Sequence, residues 1–182
     1  QGVDAQQEDV QAALALARKR CIRTFTGHKD QVHSVCLSAD SRLALSGSKD
    51  HTLKLWEVAT GHCLRTFEGH IDWVNSVCLS ADNRLALSGS SDYTLKLWEV
   101  ATGQCLRTFY RHTPRVNSVC LSADSRFALC GCDGSSLELW QVDTGSYLHS
   151  LTGHKDQVNS VCFSANSRFA LSGSSDFTLK LW

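Results

Sequence analysis

Tryptophan and histidine recur with one fixed period of 42 residues, and this period constrains the fold more than any other feature. The two series are Trp56, Trp98, Trp140 and Trp182, and His28, His70, His112 and His154. Internal repeats of roughly 40 to 45 residues are typical of solenoids and propellers. The content of one repeat must therefore distinguish between them. We divide the chain into a segment 1–20 and four units, 21–62, 63–104, 105–146 and 147–182.

Each unit contains four short runs that favour β-strands. In the first unit these runs are CIRTF, VHSVCL, RLALSGS and TLKLWEV, separated by Gly, Asp, Ser and Asn. The connections are too short for helices, so the unit is predicted to be an antiparallel meander. Stacked radially, such sheets form an all-β propeller of four-stranded blades. The last unit stops at its third run, so its blade is expected to lack an outer strand.

Residues 1–20 show a helical pattern instead. Val10, Ala13, Leu14 and Ala17 follow helical spacing, with acidic residues before them and basic residues after them. This order complements a helix dipole. We therefore predict a short N-terminal helical segment or linker.

The composition favours neither nucleic acid nor a membrane as partner. Eighteen basic residues balance eighteen acidic ones, and no apolar run approaches the roughly 18 residues that span a bilayer. The N-terminus lacks the pattern of a signal peptide. We expect an intracellular, cytoplasmic protein.

Most of the nine cysteines keep the repeat spacing and are interpreted as small buried hydrophobic residues in a reducing compartment. Cys130 and Cys132 break the pattern, because they replace serines of the first unit. Zinc needs about four ligands, and no other pair is in view. We therefore expect no metal and no cofactor.

Three motifs resemble the WD-repeat β-propeller family over residues 21–182. They are GH before an inner strand, SGS-x-D-x-T-L-K-L-W after it, and an acidic residue after Trp56 and Trp98. The chain departs from the family pattern with Trp56-Glu57, Trp98-Glu99 and Trp140-Gln141. The resemblance implies a hydrogen-bonded tetrad of His, Ser, Asp and Trp in each blade. The complete sets are His28, Ser46, Asp50 and Trp56; His70, Ser88, Asp92 and Trp98; and His154, Ser172, Asp176 and Trp182.

The same residue types would also suit a Ser-His-Asp hydrolase. The set recurs in three units, however, whereas catalysis needs one site with an oxyanion hole. Nothing else in the sequence indicates catalysis, so we expect no enzyme. The third unit has Cys130 in place of the serine and Gly134 in place of the aspartate. We therefore expect its blade to open most easily.

Sequence variation between the units is concentrated on one face of the predicted ring. In an antiparallel meander the loops that contain GH and SKD lie on one face, and the loops SADSR and EVATG lie on the other. The second set is nearly invariant in the first two units, with SADSR against SADNR and EVATG in both. Exposed loops drift in any protein, but drift does not explain why the opposite loops stayed constant. The variable positions, which we call the rim, are Gln31, His33, Lys49, Trp73, Asn75, Tyr93, Arg115, Asn117, Asp133, Gln157, Asn159 and Phe177.

The rim predicts a non-catalytic scaffold that binds a protein or peptide. Trp73, Tyr93 and Arg115 are of the types enriched in interface hot spots. In the resembled family, proteins and peptides commonly dock on this face. The alternative is a structural assembly module whose repeats serve ring closure or homo-oligomerisation. The open edge leaves three arrangements: two chains in an eight-bladed ring, a piece of a longer protein, or a four-bladed monomer.

Overall fold

The computed structural model describes residues 21–110 and 115–182, which form four antiparallel β-sheets in chain order. Three sheets have four strands and the last has three, as the repeat pattern predicts. The predicted N-terminal helix lies outside the described residues, and so does His112. Within the two described ranges, no helix is long and apolar enough to cross a bilayer.

Neighbours in the chain are neighbours in each sheet. The first blade contains β1 (Val32–Leu37), β2 (Leu43–Ser48), β3 (Leu53–Glu57) and β4 (Cys63–Phe67). The second contains β5 (Val74–Leu79), β6 (Leu85–Ser90), β7 (Thr94–Glu99) and β8 (Cys105–Tyr110). The third contains β9 (Val116–Leu121), β10 (Phe127–Cys132), β11 (Ser136–Gln141) and β12 (Tyr147–Thr152). The fourth contains β13 (Val158–Phe163), β14 (Ala170–Ser174) and β15 (Leu179–Leu181).

The first run, Cys21–Phe25, is not a strand, so the prediction of a strand there is wrong. A strand needs a hydrogen-bonded neighbour, and the described residues offer this segment none. Its side chains nevertheless repeat the contacts of the outer strands. The Phe25 and Trp56 ring centroids lie 5.7 Å apart, and Arg23 Nη1 donates to Thr60 O at 2.8 Å. Phe67 and Trp98 show the same 5.7 Å separation in the next blade.

Adjacent blades pack through their inner strands. Val74 and Val77 of β5 lie over Gly47 of β2, where an added Cβ would come within 2.7 Å of Val74 Cγ1. Glycine at this position therefore sets the spacing between blades. Val77 N also donates to Ser34 Oγ at 3.1 Å, which joins the inner edges of the first and second blades. At the outer edge Arg65 donates to two carbonyl oxygens of the next blade's loop.

The two end faces of the described stack remain open. Val35 of β1 is 73% exposed, whereas the equivalent Val77 is 5% exposed. Leu181 of β15 is 69% exposed, and the equivalent Leu97 is 5% exposed. The first and last blades are therefore not packed against each other.

Candidate functional site

The two variable loops of each blade are hydrogen-bonded to each other. Trp73 O accepts from Ser91 N at 2.9 Å, and Arg115 O accepts from Asp133 N at 2.9 Å. The same bond joins Gln31 to Lys49 and Gln157 to Ser175. Each blade therefore presents its two variable loops as one surface.

Four rim residues lie at β-bulges where the inner strands begin. They are His33, Asn75, Asn117 and Asn159. The residues on either side of each one pair with the adjacent strand, but the residue itself has no opposite partner. A bulge re-aims the side chain of its extra residue. Asn75 Nδ2 donates to Val116 O of the next blade at 2.9 Å, and Asn117 Nδ2 donates to Val158 O at 3.2 Å. These two amides join adjacent blades, which gives them a structural role beside any role at the rim.

Large side chains occupy a strained backbone position at the loop tips. His51, Tyr93 and Phe177 have φ values of 69°, 67° and 67°. For bulky residues this left-handed region is a genuine outlier. The rings gain little burial in return, because Tyr93 is 57% exposed and Phe177 is fully exposed.

The constant face also contains left-handed residues, but they are small and polar. Ser41, Asn83, Ser125 and Ser167 have φ values of 57°, 61°, 59° and 54°. Their loops are fixed by hydrogen bonds, since Asp82 Oδ1 accepts from Ser80 Oγ and from Arg84 N. The constancy of this face thus has a structural reason, so variability alone does not assign a function to the rim.

A cleft of about 510 Å³ opens on the rim between the second and third blades. It is lined by Asp72, Trp73, Ser91, Tyr93, Arg115 and Asp133. We call this set the rim cleft. It brings together the three residues singled out from the sequence, Trp73, Tyr93 and Arg115.

Asp72 and Ser91 were missed as cleft residues. Asp72 was passed over because Asp30 and Asp156 occupy the same position in the first and fourth units, and only the third unit differs, with Pro114. Its place directly before Trp73, inside a variable loop, is the signal that could have found it. Ser91 stands at a position that varies between the units, beside Lys49, Asp133 and Ser175, but it was left out of the rim because the fourth unit has serine there too.

Trp73 of the second blade is flanked by side chains from the first and third blades. Lys49 Nζ lies 4.2 Å from its ring centroid, Arg115 Cζ lies 5.5 Å away, and the His33 ring contacts it edge-on at 5.8 Å. Trp73 keeps 36% of its surface exposed. It is therefore held in place while part of the indole stays accessible.

The other rim residues lie outside the cleft. Gln31 and Phe177 are exposed. Gln157 Nε2 and Asn159 Nδ2 both donate to Ser175 Oγ, at 3.3 and 2.8 Å. Phe177 and the Gln157–Asn159 pair belong to the fourth blade, beyond the blades that form the cleft.

The three complete tetrads are continuous hydrogen-bonded chains. In the second blade Trp98 Nε1 donates to Ser88 Oγ at 2.8 Å, and Ser88 Oγ lies 2.7 Å from His70 Nε2. His70 Nδ1 lies 2.7 Å from Asp92 Oδ2. An ionised carboxylate only accepts, so His70 Nδ1 donates to Asp92. In the neutral ring that leaves Nε2 to accept from the serine hydroxyl. Equivalent distances of 2.7 to 2.9 Å connect the sets of the first and fourth blades.

A threonine that the sequence reading omitted completes each network. Thr94 Oγ1 donates to Asp92 Oδ1 at 2.6 Å, and Thr52 and Thr178 do the same for Asp50 and Asp176. The signal was present, because Thr follows Asp by two residues in each of these units.

The charges in the second tetrad follow from this bonding. Burial alone would raise the pKa of Asp92, but its hydrogen bonds and charge interaction with His70, and its bond from Thr94, hold that pKa well below the usual value. Burial lowers the pKa of His70, and this effect exceeds the opposing influence of Asp92. Burial therefore favours a neutral imidazole beside the ionised carboxylate, and the hydrogen-bond distances are compatible with that state.

The third blade lacks this network within the described residues. Cys130 and Cys132 are buried with their sulfur atoms 3.9 Å apart. Trp140 Nε1 is shielded from solvent and has no hydrogen-bond acceptor in the described ranges. The bond with Cys132 and burial raise the pKa of the Cys130 thiol, so it stays protonated. Among residues 21–110 and 115–182, no group of three or more His, Cys, Asp or Glu is arranged to hold a metal ion.

Comparison with known proteins identifies the repeats. The family model described as "WD domain, G-beta repeat" matches residues 19–57, 61–99, 103–141 and 145–182. The transcriptional repressor rco-1 of Neurospora crassa is 56% identical over 43 residues, which are 24% of this chain and 7% of that protein.

Two further relatives match over a similar length. The small ribosomal subunit protein RACK1 of Saccharomyces cerevisiae is 52% identical over 40 residues, 22% of this chain and 12% of that protein. The human pre-mRNA-processing factor 17 is 42% identical over 43 residues, 24% of this chain and 7% of that protein. The matched stretch is thus a small part of each of these relatives, about the length of one repeat.

Proposed function

The chain belongs to the WD domain, G-beta repeat family, and from that premise we propose that it is a non-catalytic scaffold that binds a protein or peptide at the rim. The observation that carries the proposal is the exposed aromatic ring of Tyr93 at a left-handed backbone position. Such a conformation costs on the order of 1 to 3 kcal/mol and clusters at binding sites. Neither burial nor a hydrogen bond of the fold accounts for a large ring at this position.

The composition of the rim cleft favours a macromolecular partner. Tryptophan, tyrosine and arginine supply most of the binding energy in protein interfaces, and the cleft contains one of each. Trp73 and the side chains that flank it come together from three consecutive blades. A partner that contacts them all must extend across several loops, as a peptide or a protein surface does.

The tetrad serines are poor candidates for catalysis. Ser88 is fully buried and Ser172 is 1% exposed, so a substrate cannot reach either hydroxyl. Each hydroxyl also accepts a hydrogen bond from a tryptophan. These contacts support a structural role for the three tetrads.

The test compares one truncation on each face. We expect Trp73→Ala to weaken binding to a partner captured by pull-down by about 2 kcal/mol, near thirtyfold, because it removes an accessible indole from the centre of the surface. Arg84→Ala removes an exposed side chain from the opposite face and serves as the control. Both variants are checked for an unchanged melting temperature. Loss of binding with Arg84→Ala alone would place the partner on the opposite face.

We propose an intracellular, cytoplasmic location and no direct binding to nucleic acid or membranes. The equal numbers of acidic and basic residues support the second point. The names of the relatives, which include a transcriptional repressor, a ribosomal subunit protein and a pre-mRNA-processing factor, support the first.

Self-assembly is a second candidate function. The exposed end faces favour it, because their apolar positions are buried at every junction between blades. Two copies of the chain would form an eight-bladed ring.

A further inference from the structure

Trp73 lies between two cationic side chains that have no acidic partner. The ion pairs among the described residues all join a tetrad histidine to its aspartate. Lys49 and Arg115, which flank the Trp73 ring at 4.2 and 5.5 Å, take part in none of them. Two unpaired cations beside an accessible indole attract an anionic group.

Arg115 favours one kind of anionic group over others. Its Nε is shielded from solvent and has no hydrogen-bond acceptor among the described residues. The described fold thus provides no acceptor for this N–H, and no ion pair holds the guanidinium. The guanidinium presents N–H groups in a planar fork, and a carboxylate is the protein group that matches this fork with two parallel hydrogen bonds.

We propose that the rim cleft binds the carboxylate of one acidic side chain in a peptide partner. Arg115 contacts the carboxylate, Lys49 outside the cleft adds a longer-range attraction, and the indole of Trp73 packs against the adjoining part of the peptide. This inference rests on the proposed function, because it names the chemistry of the partner at the same surface.

The two aspartates of the cleft limit the charge that it accepts. Asp72 Oδ1 accepts from Trp73 N at 2.7 Å, and Asp133 Oδ1 accepts from Asn117 Nδ2 at 2.9 Å, and neither carboxylate forms an ion pair with Arg115. Their negative charge repels a second anion while leaving room for N–H donors of the peptide. The cleft therefore selects a single carboxylate over a phosphate dianion or a nucleic acid strand.

The test uses three acetylated and amidated hexapeptides that differ only in a central glutamate, glutamine or lysine. Binding is followed by the indole N–H signal of Trp73 in two-dimensional NMR of the full chain. The signal is assigned by its loss in Trp73→Phe. We expect the glutamate peptide to shift this signal to saturation, the glutamine peptide to bind about tenfold more weakly, and the lysine peptide not to bind.

Variants of single charged residues test which side chains attract the carboxylate. Arg115→Gln and Lys49→Gln should each weaken the glutamate peptide by about fivefold or more, and Arg115→Lys should have an intermediate effect because it keeps the charge and loses the fork. Arg84→Gln removes a cation from the opposite face and should leave the affinity unchanged. A phosphoserine peptide and a single-stranded oligonucleotide should bind no more tightly than the glutamate peptide.

Several results would overturn the inference. They are equal affinity for the glutamate and glutamine peptides, no shift of Trp73 at about 5 mM peptide, an Arg115→Gln variant that binds normally, or tighter binding of the phosphorylated or nucleic acid probe. The proposed function is tested separately by the captured partner. If that partner needs Trp73 but tolerates Arg115→Gln and Lys49→Gln, the rim is the binding surface and the carboxylate contact is wrong.

Discussion

Tyr93 links the backbone of the fold to the surface that we propose for binding. Its φ of 67° suits glycine or asparagine, yet the position carries a ring that is 57% exposed. The equivalent turn positions carry His51 and Phe177, which are also large and left-handed. On the opposite face, residues with similar φ values are serine or asparagine. Large rings in this conformation are thus confined to the rim.

The substitution Tyr93→Asn should separate stability from binding. Asparagine tolerates the left-handed region, so the free energy of unfolding should rise by up to about 1 kcal/mol, while affinity for the captured partner falls because the ring is lost. The reciprocal change Asn83→Tyr on the opposite face should lower the stability and leave the affinity intact. Chemical denaturation and a binding titration measure the two effects. A Tyr93→Asn variant that binds normally would contradict the role assigned to the ring.

Asp92 tests the tetrad of the second blade. Its carboxylate accepts from Thr94 N, Thr94 Oγ1, Ile71 N and His70 Nδ1. Asp92→Ala leaves these donors without an acceptor and should cost about 1 to 3 kcal/mol of unfolding free energy. Gly134→Ala at the equivalent position of the third blade is the control and should cost far less, since no carboxylate is lost there. Equal losses of stability for the two variants would be inconsistent with the tetrad assignment.

At the scale of strands, the sequence predicted the elements that recur in each unit. It did not predict the features that depend on pairing with a neighbouring strand. Runs of strand-favouring composition, separated by turn residues, predicted all the observed strands. They also predicted a strand at Cys21–Phe25, which the structure does not form. That run has the composition of an outer strand, but composition cannot supply a hydrogen-bonding partner. The bulge at Asn75 was also not predicted, because a bulge arises from pairing in the sheet and leaves no mark in the order of residue types.

The candidate site was predicted in part for the same reason. Comparison of the units found Trp73, Tyr93 and Arg115 because these residues differ from their counterparts. It did not find that Asn75 and Asn117 bond to the neighbouring blade, since that contact requires the packing of two sheets. It also passed over Asp72, which lines the cleft although its residue type is repeated in other units.

The third blade should open more readily than the others. Trp98 Nε1 donates to Ser88 Oγ at 2.8 Å, whereas Trp140 Nε1 faces Cys130 in place of a serine and has no acceptor among the described residues. Fewer satisfied buried groups lower the free energy of local opening. Amide hydrogen exchange should be faster in residues 116–140 than in the matching parts of the other blades.

A variant that restores the serine found in the other blades tests the cause of this difference. Cys130→Ser supplies the oxygen that Ser88 provides in the second blade, so exchange in β10 and β11 should slow. Slower exchange in residues 116–140 of the wild type than in the other blades would refute the proposed weakness. Unchanged exchange in the variant would show that the serine oxygen is not the cause.

At the scale of the whole molecule, the two end faces are complementary. Inside the stack Val74 and Val77 cover Gly47, and the equivalent residues of β1, Val32 and Val35, are exposed. At the other end an added Cβ at Gly173 would meet only Leu179 of its own blade. The valines of a second copy would fit over Gly173 as Val74 fits over Gly47, and Cys21–Phe25 would gain the strand Leu179–Leu181 as a hydrogen-bonding partner.

This complementarity predicts that the purified chain of 182 residues associates. Exposed apolar faces and unpaired strand edges both favour pairing with another copy, and two copies complete a ring of eight blades with both end faces buried. Light scattering at micromolar concentration should therefore give at least twice the 20.0 kDa of one chain.

Val35→Lys places a charge on one end face and should shift the mass toward that of a single chain. Leu64 lies on an outer strand, away from the end faces, and is 49% exposed. The control Leu64→Lys should therefore leave the assembly intact. A mass of 20.0 kDa for the wild type, or equal dissociation by both variants, would show that the end faces do not join copies of this chain.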